Sequence, residues 1–254
     1  MSTVNLADLV IFAAAQAWRH DPEILASGIT TLPRLAASFA KTYYNPGLLI
    51  TDSECWFVED PVPPGPPARP KLVEGWAPYA RTFDILWSGK RHAMVVPVQL
   101  DRFGQANISV IGDHARPKVQ MLGARGFPGN SVHHPNSFFL PSHNTRVLMA
   151  GEVDFVCMAG YNPARWRGGV KPAGLDLRLI VTNLCVMDFQ GPGNAVRVIS
   201  LHPGVSFDQV QDNTGFPLAR GADELPVTEA PDGDALAEIA RLDPNNLRAT
   251  VFKA

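Results

Sequence analysis

The chain has 254 residues, 46% apolar and 18% charged, with a formal net charge of -2. That is enough for a packed core in one large α/β domain spanning 1–254. The balanced charge, with no run of Lys or Arg, excludes a general nucleic-acid or membrane-surface binder. Three cysteines, Cys55, Cys157 and Cys185, are odd in number and lack C-x-x-C spacing. They argue against a disulfide framework and for a reducing compartment.

Met1 to Asn5 carries no basic region, and the apolar stretch Leu9 to Ala17 runs into Trp18, Arg19 and His20. It reads as a helix over 4–19 and not as a signal peptide, so a soluble, cytoplasmic chain is expected. Thr31 is the expected N-cap of a second helix with Pro33 in its first turn, stopping near Asn45 and Pro46. Leu48 to Thr51 reads as a short buried strand. Pro61 to Pro70 reads as an extended surface loop. A third helix is predicted over Tyr79–Trp87, ended by Gly89, and a second buried strand over Arg91–Val98.

Residues 101–144 are dense in Gly, Pro, Asn and His, and a long irregular stretch in a compact domain is usually functional. Strands are predicted over Val147–Ala150, Asp154–Met158, Leu177–Asn183, Val186–Phe189 and Ala195–Ser200. Ser206 with Gln209 forms a capping box that opens a helix. A last amphipathic helix covers Ala235–Leu242 and stops at Asp243-Pro244. Alternation of helix and strand points to a mainly parallel sheet with helices on its faces.

Three C-terminal segments, Thr182 to Phe189, Ser200 to Val205 and Asn213 to Phe216, resemble the C-terminal signature of β subunits of family I coenzyme A transferases. Gln99 to Ser109 is similar to that family's Q-x-D-x-x-G-x-x-N segment, and Arg116-Pro117-Lys118 and Gly123 to Asn130 follow in the family's order. A nearer likeness is to the β subunit of the steroid ring-opening hydrolases. It is carried by Leu48 to Glu54, Val73 to Pro78, Gly123 to Asn130 and Ser200 to Val205. The resemblance covers nearly the whole chain. It implies an α/β, three-layer fold with a mainly parallel sheet, of the CoA-transferase (ribose-5-phosphate isomerase-like) type. It also implies a heteromer with an α subunit of the same fold, expected as α2β2, and an acyl-CoA thioester as substrate. Coenzyme A would then enter as part of the substrate, with no permanent cofactor and no metal.

The transferases of this family attack the thioester with a glutamate, which must carry an acyl group and then CoA covalently. Counted from Pro46, that position falls on Ser53, with Asp52 and Glu54 on either side. On a regular strand Asp52 and Glu54 share a face and Ser53 takes the other, and a one-residue bulge exchanges them. Two readings therefore stand. Glu54 in the nucleophile position preserves transferase chemistry; kept register removes the nucleophile and implies different chemistry on a CoA thioester. Either carboxylate also serves as a turn cap in the plain structural reading.

Gly123, Gly126 and Gly129 allow backbone conformations that present N–H groups to an oxyanion. The resemblance assigns Gly126, Gly129, Asn130 and Asn107 to the thioester and its CoA arm, and Asp52, Glu54 and Arg125 to catalysis. Arg125 would pair with a substrate carboxylate, with Asp52 or Glu54, or with charge developing in the reaction. Lys118 and Arg116 are candidates for CoA phosphates or plain rim charges. His133 and His134 are adjacent, hence a poor metal pair. His202 is expected in a turn, and Cys55 as a buried thiol near Glu54. The resemblance favours hydrolytic C–C cleavage of a cyclic β-keto CoA thioester. CoA transfer is the alternative, and a non-catalytic scaffold for the α subunit is the third reading.

Overall fold

The computed structural model describes residues 4–54, 56–66, 70–124 and 126–252. The chain divides into two compact units, one running to Val95 and resuming at Glu229, the other spanning Val96–Thr228.

The first unit opens with α1 (Leu6–Ala15), capped by the Asn5 side chain, which accepts from the Asp8 amide. A 3-10 turn (Gln16–Trp18) ends it, and β1 (Leu25–Gly28) follows. Then α2 (Thr31–Phe39) continues as a π-helical turn (Ala40–Tyr44) to Asn45. The cap of α2 is Thr30, one residue before the expected Thr31, and its side chain makes no capping bond. β2 (Trp56–Val58) and β3 (Val73–Trp76) form an antiparallel pair, and α3 (Tyr79–Trp87) matches its predicted span. Its stop is local: Gly89 has φ 76, a value that costs glycine little. β4 (Arg91–Val95) runs parallel to β1, with Leu25 opposite Arg91.

Two corrections fall in this unit. Leu48 to Thr51 is no strand: it makes only single bridges, Leu49 to Leu25 and Thr51 to Phe57. The turn at Asp52 ends it before a ladder forms. Pro61, Pro63 and Pro64 are buried, so the first half of the proline-rich segment packs inward instead of lying on the surface; residues 67–69 of it lie outside the described residues.

In the second unit, β5 (Gln99–Leu100) pairs with β6 (Ala106–Asn107), and β7 (Val110–Ile111) with β8 (Val119–Gln120). α4 (Phe127–His133) leads to β9 (Asn136–Leu140), whose five residues are all buried. β10 (Leu177–Thr182) lies parallel to β9 and antiparallel to β11 (Cys185–Asp188), which is antiparallel to β12 (Arg197–Leu201). α5 (Phe207–Asp212) follows, with Ser206 accepting from the Gln209 amide as the capping box requires. β13 (Ala219–Arg220) returns parallel to β12, so this sheet is mixed. The two strands predicted within 147–158 reduce to single bridges, Leu148 to Leu100 and Met158 to Ala106.

The chain then closes the first unit with α6 (Gly233–Leu242), N-capped by Asp232. Arg248 ties this end to α1 through Asp8 at 2.6 Å and Asp243 at 3.1 Å. One edge of the first unit keeps large apolar groups in solvent: Trp56, Trp76, Tyr79, Phe83 and Trp87 are all exposed. Among the described residues no helix is long and apolar enough to cross a membrane.

Candidate active site

Thr51 to Trp56 is where the first unit departs from regular structure. Ser53 has φ 72, which turns the chain out of extended backbone and separates Asp52 from Glu54. The expected shared face is therefore corrected. Asp52 turns inward and is 6% exposed, whereas the Glu54 side chain is 72% exposed. The Asp52 Oδ1 accepts from the amides of Glu54 at 2.9 Å and Trp56 at 3.2 Å, as an Asx turn does. Its Oδ2 meets Lys71 Nζ at 2.6 Å, and the same ammonium reaches Glu54 Oε2 at 3.2 Å. Lys71 thus holds the two carboxylates together. Burial pushes the Asp52 carboxyl up, but the Lys71 bond and the two backbone donors outweigh it and leave the value below normal.

This geometry makes Asp52 a structural anchor with a pH signature. Its depressed folded value means that the unfolded chain binds the proton more readily. The stabilisation is full well above the ordinary aspartate value of 3.8 and is lost as pH falls through the folded value. Asp52→Ala should cost about 2 kcal/mol at neutral pH, because the charged hydrogen bonds of a buried carboxylate are lost. Asp52→Asn should flatten the fall in Tm between pH 7 and pH 3, measured by thermal melts of parent and variant.

Ser53 and Glu54 line an open cavity of about 550 Å³ in the first unit, bordered by β1, α2 and α3. Its polar lining comes from Ser27, Thr30, Thr31, Arg34 and Arg91. Thr30, the cap of α2, has φ 73 and ψ 176, a conformation that a β-branched residue rarely adopts. Two non-glycine residues at positive φ, Thr30 and Ser53, therefore border one cavity, and such strain clusters at working sites. Arg34 Nη2 donates to the Val62 carbonyl at 3.0 Å, and Arg91 Nη2 to Ser27 Oγ at 2.9 Å. Burial lowers the Arg34 guanidinium, against the pull of Asp52, and pushes Arg91 down to about 10. The sequence reading missed Lys71, Arg34, Arg91 and Thr30. The signals available were a cation opening a buried strand at Arg91-His92 and two threonines just before the proline of a helix.

In the second unit, Asn107 is fully buried. Its Nδ2 donates to Gln99 Oε1 and the Val110 carbonyl, and its Oδ1 accepts from the Ser109 and Val110 amides. Both ends of the amide are engaged, so Asn107 builds the turn that leads into β7. Gly123 has φ 94 and needs to be glycine. Gly126, at φ -77, is the N-cap of α4, and Gly129 and Asn130 lie inside that helix, so the expected glycine loop is shorter than its sequence suggests. Proline at the second helical position, Pro128, explains why a helix starts there. Arg125 and Cys55 lie outside the described residues. Arg116 and Lys118 border the β7–β8 turn, where Lys118 packs over Gly112. His133 ends α4 with Nδ1 2.6 Å from the Gly129 carbonyl, and His134 follows in extended backbone. His202 is buried, bonded to Thr228 Oγ1 and the Thr182 carbonyl, before the turn at Gly204. Among the described residues no three His, Cys, Asp or Glu side chains gather at metal-binding distance.

No family model matches the chain. It is 39% identical over 256 residues to the cholesterol ring-cleaving hydrolase IpdB subunit of Rhodococcus jostii RHA1, covering 98% of this chain and 96% of that one. The chain belongs to the IpdB subunit family. The crystal structure of Rhodococcus jostii RHA1 IpdAB superposes with a TM-score of 0.90 at 36% identity, over the whole of both chains. Glutaconate CoA-transferase from Acidaminococcus fermentans superposes at 0.79 with 22% identity, over 100% of this chain and 99% of that one. The IpdB-family chain therefore has the CoA-transferase fold, an α/β fold with a mixed, mostly parallel sheet, as the sequence motifs implied.

Proposed function

We propose that this chain is the β subunit of a heteromeric enzyme that opens a ring carbon–carbon bond in a cyclic β-keto acyl-CoA thioester of steroid breakdown. The observation that carries this reading is the full-length likeness to an IpdB subunit of a cholesterol ring-cleaving hydrolase. By contrast, the sequence likeness to the corresponding chain of glutaconate CoA-transferase, at 31% identity, spans 55% of this chain. The partner is an α subunit of the same fold, coenzyme A enters as part of the substrate, and the reaction takes place in the cytoplasm.

In the proposed step, Glu54 takes a proton from water as its oxygen adds to the ring ketone. The tetrahedral alkoxide collapses to a carboxylic acid. The electrons of the broken C–C bond pass into the thioester as an enolate, and a proton returns to its α-carbon. Lys71 fixes the Glu54 carboxylate at 3.2 Å and balances its charge. Ser53, beside it on the same cavity, is placed to hold the water.

Glu54 also has the exposure that a transferase nucleophile needs, and this favours CoA transfer as the second reading. Mass spectrometry of a reaction with cyclic β-keto acyl-CoA separates the two. Ring opening adds one water to the thioester, releases no free CoA and leaves the protein mass unchanged. A CoA-sized adduct on this chain, with CoA moved to an added carboxylic acid, would establish transfer instead.

A further inference from the structure

The three C-terminal segments that carry the family resemblance meet in one buried polar network of the second unit. Thr182 opens the first of them, His202 lies in the second and Thr214 in the third. His143, from the loop after β9, joins them. Its Nδ1 lies 3.0 Å from Thr182 Oγ1 and its Nε2 2.8 Å from Thr214 Oγ1. His202 reaches the same Thr182 through its carbonyl, 2.9 Å from Nε2, and sets Nδ1 2.9 Å from Thr228 Oγ1. Both rings are buried, and among the described residues no charged side chain acts on either.

The hydroxyls fix where the protons lie. Thr214 Oγ1 donates to the Val210 carbonyl at 2.8 Å, so it accepts from His143 Nε2–H. Thr182 Oγ1 accepts from the Leu184 and Cys185 amides at 3.0 and 3.1 Å, which occupies both its lone pairs. Its own proton goes to His143 Nδ1 at 3.0 Å in preference to the Cys185 carbonyl at 3.3 Å. His143 is therefore neutral, with its proton on Nε2. A second proton, on Nδ1, would face an oxygen with no lone pair left to receive it. The Cys185 thiol, 3.9 Å from Nδ1, is a weak acceptor and no substitute. His202 differs. Its partner Thr228 Oγ1 lies 2.8 Å from Ser200 Oγ, so two turned hydroxyls let Thr228 accept from a charged ring.

We propose that His143 is the trigger of an acid-operated latch: one proton from solvent, taken up at Nδ1, breaks its bond to Thr182 and frees the segment after α5 from the turn between β10 and β11. Burial disfavours the charged ring and pushes His143 down to about 4, against the pull of the Val210 carbonyl. The folded chain holds a neutral ring that the opened chain charges. The latch is thus at full strength above the ordinary histidine value of 6.5 and weakens as pH falls toward the folded value. The groups packed around the ring do not compensate. β10 and β11 present Thr182 and Cys185, and burial pushes that thiol up to about 12. Arg178 of β10 is paired with Asp176, and Asp188 of β11 with Arg197 of β12. α5 buries Val210 and keeps Asp208 and Asp212 in solvent.

Cys185, wholly buried beside His143, makes opening measurable. The complex of this chain with its α subunit is treated with dithiodipyridine, a disulfide that attacks thiols in acid as well as at neutral pH. The labelling rate of each thiol is read from peptide masses, with Cys157, buried in the same unit against Ser109, as internal reference. From pH 7 to pH 5 the rate at Cys185 relative to Cys157 should rise about twentyfold, the ratio that values of 6.5 opened and about 4 closed require. Return to pH 7 should reverse it. His143→Gln, neutral at every pH, should hold the ratio within about twofold over the same range, and His202→Gln should keep the rise. A parent that shows no rise overturns the latch. So does a rise shared equally by Cys157, because the unit would then loosen as a whole. A rise that persists in His143→Gln, or is lost in His202→Gln, takes the trigger away from His143. The second variant decides the matter if His143→Gln fails to fold.

Discussion

Glu54→Gln lowers turnover of the ring-opening reaction by about 10²–10⁴-fold, the range lost when a positioned general base is removed. The same change leaves Tm within about 2 °C, because the Glu54 side chain is 72% exposed and makes one bond to a partly exposed lysine. Asp52 gives the opposite pattern. It is buried, caps its own turn and is not among the residues that line the cavity, so Asp52→Asn lowers Tm more than Glu54→Gln and turnover less. Steady-state kinetics and thermal melts of the two variants, each as the assembled complex, give the comparison. A Glu54→Gln enzyme within threefold of the parent would remove Glu54 from the chemistry and transfer the role of base to the α subunit.

Gly28→Ala should be among the most damaging single changes in the first unit. A methyl group at this position would run into the Pro33 carbonyl and the Arg34 amide, both backbone groups of α2. Neither can swing aside as a side chain does, so strand β1 and helix α2 must separate. The cost is about 3 kcal/mol or more, at or above the top of the usual range for overpacking. That corresponds to a fall in Tm of roughly 6–12 °C. Because Gly28, Thr30 and Arg34 all line the cavity, the displaced helix would also distort the cavity beside Glu54. Calorimetric melts of parent and variant check the size. A variant that melts within 2 °C of the parent would mean that β1 and α2 are less tightly joined than their backbone contact requires.

The parts of the fold that were legible in the sequence are those set by local signals. Gly89 stops α3, Ser206 and Gln209 open α5, and the segment Leu177–Thr182, apolar apart from Arg178 and Thr182, forms a strand. What was missed depends on pairing. β1 has four residues that include Ser27 and Gly28, and its parallel pairing with Arg91–Val95 makes it a strand. β9 sits between Pro135 and Pro141 in a stretch that reads as irregular, yet Ile180 and Val181 pair with Phe138 and Phe139. Leu48 to Thr51 erred the other way, apolar enough for a strand but cut short by the Asp52 turn.

The candidate site divides along the same line. The two carboxylates around Ser53 drew attention by the family's nucleophile position and by their adjacency. Lys71 lies 19 residues beyond Asp52, across a proline-rich segment, and no spacing rule connects them. The positive φ of Ser53, which decides that Asp52 turns inward and Glu54 outward, is unusual for serine and has no sequence signal. Arg34 and Arg91 lie on a helix and a strand whose approach is fixed by tertiary packing, so their common cavity becomes visible only when the chain is folded.

The exposed aromatic edge of the first unit has an optical consequence. Trp56, Trp76 and Trp87 are 39%, 65% and 57% exposed, whereas Trp18 is fully buried and bonded to the His92 carbonyl. Indoles in water emit to the red of indoles in an apolar interior. The isolated chain should therefore show a red-weighted fluorescence band that iodide quenches, above a blue component from Trp18 that it does not, with the half-buried Trp166 between the two. Anything that covers the edge will shift the band to the blue and shield it from the quencher. The unlabelled protein thus carries its own spectroscopic reporter of assembly, and replacing each of the three indoles in turn by phenylalanine would show which part of the edge is covered first.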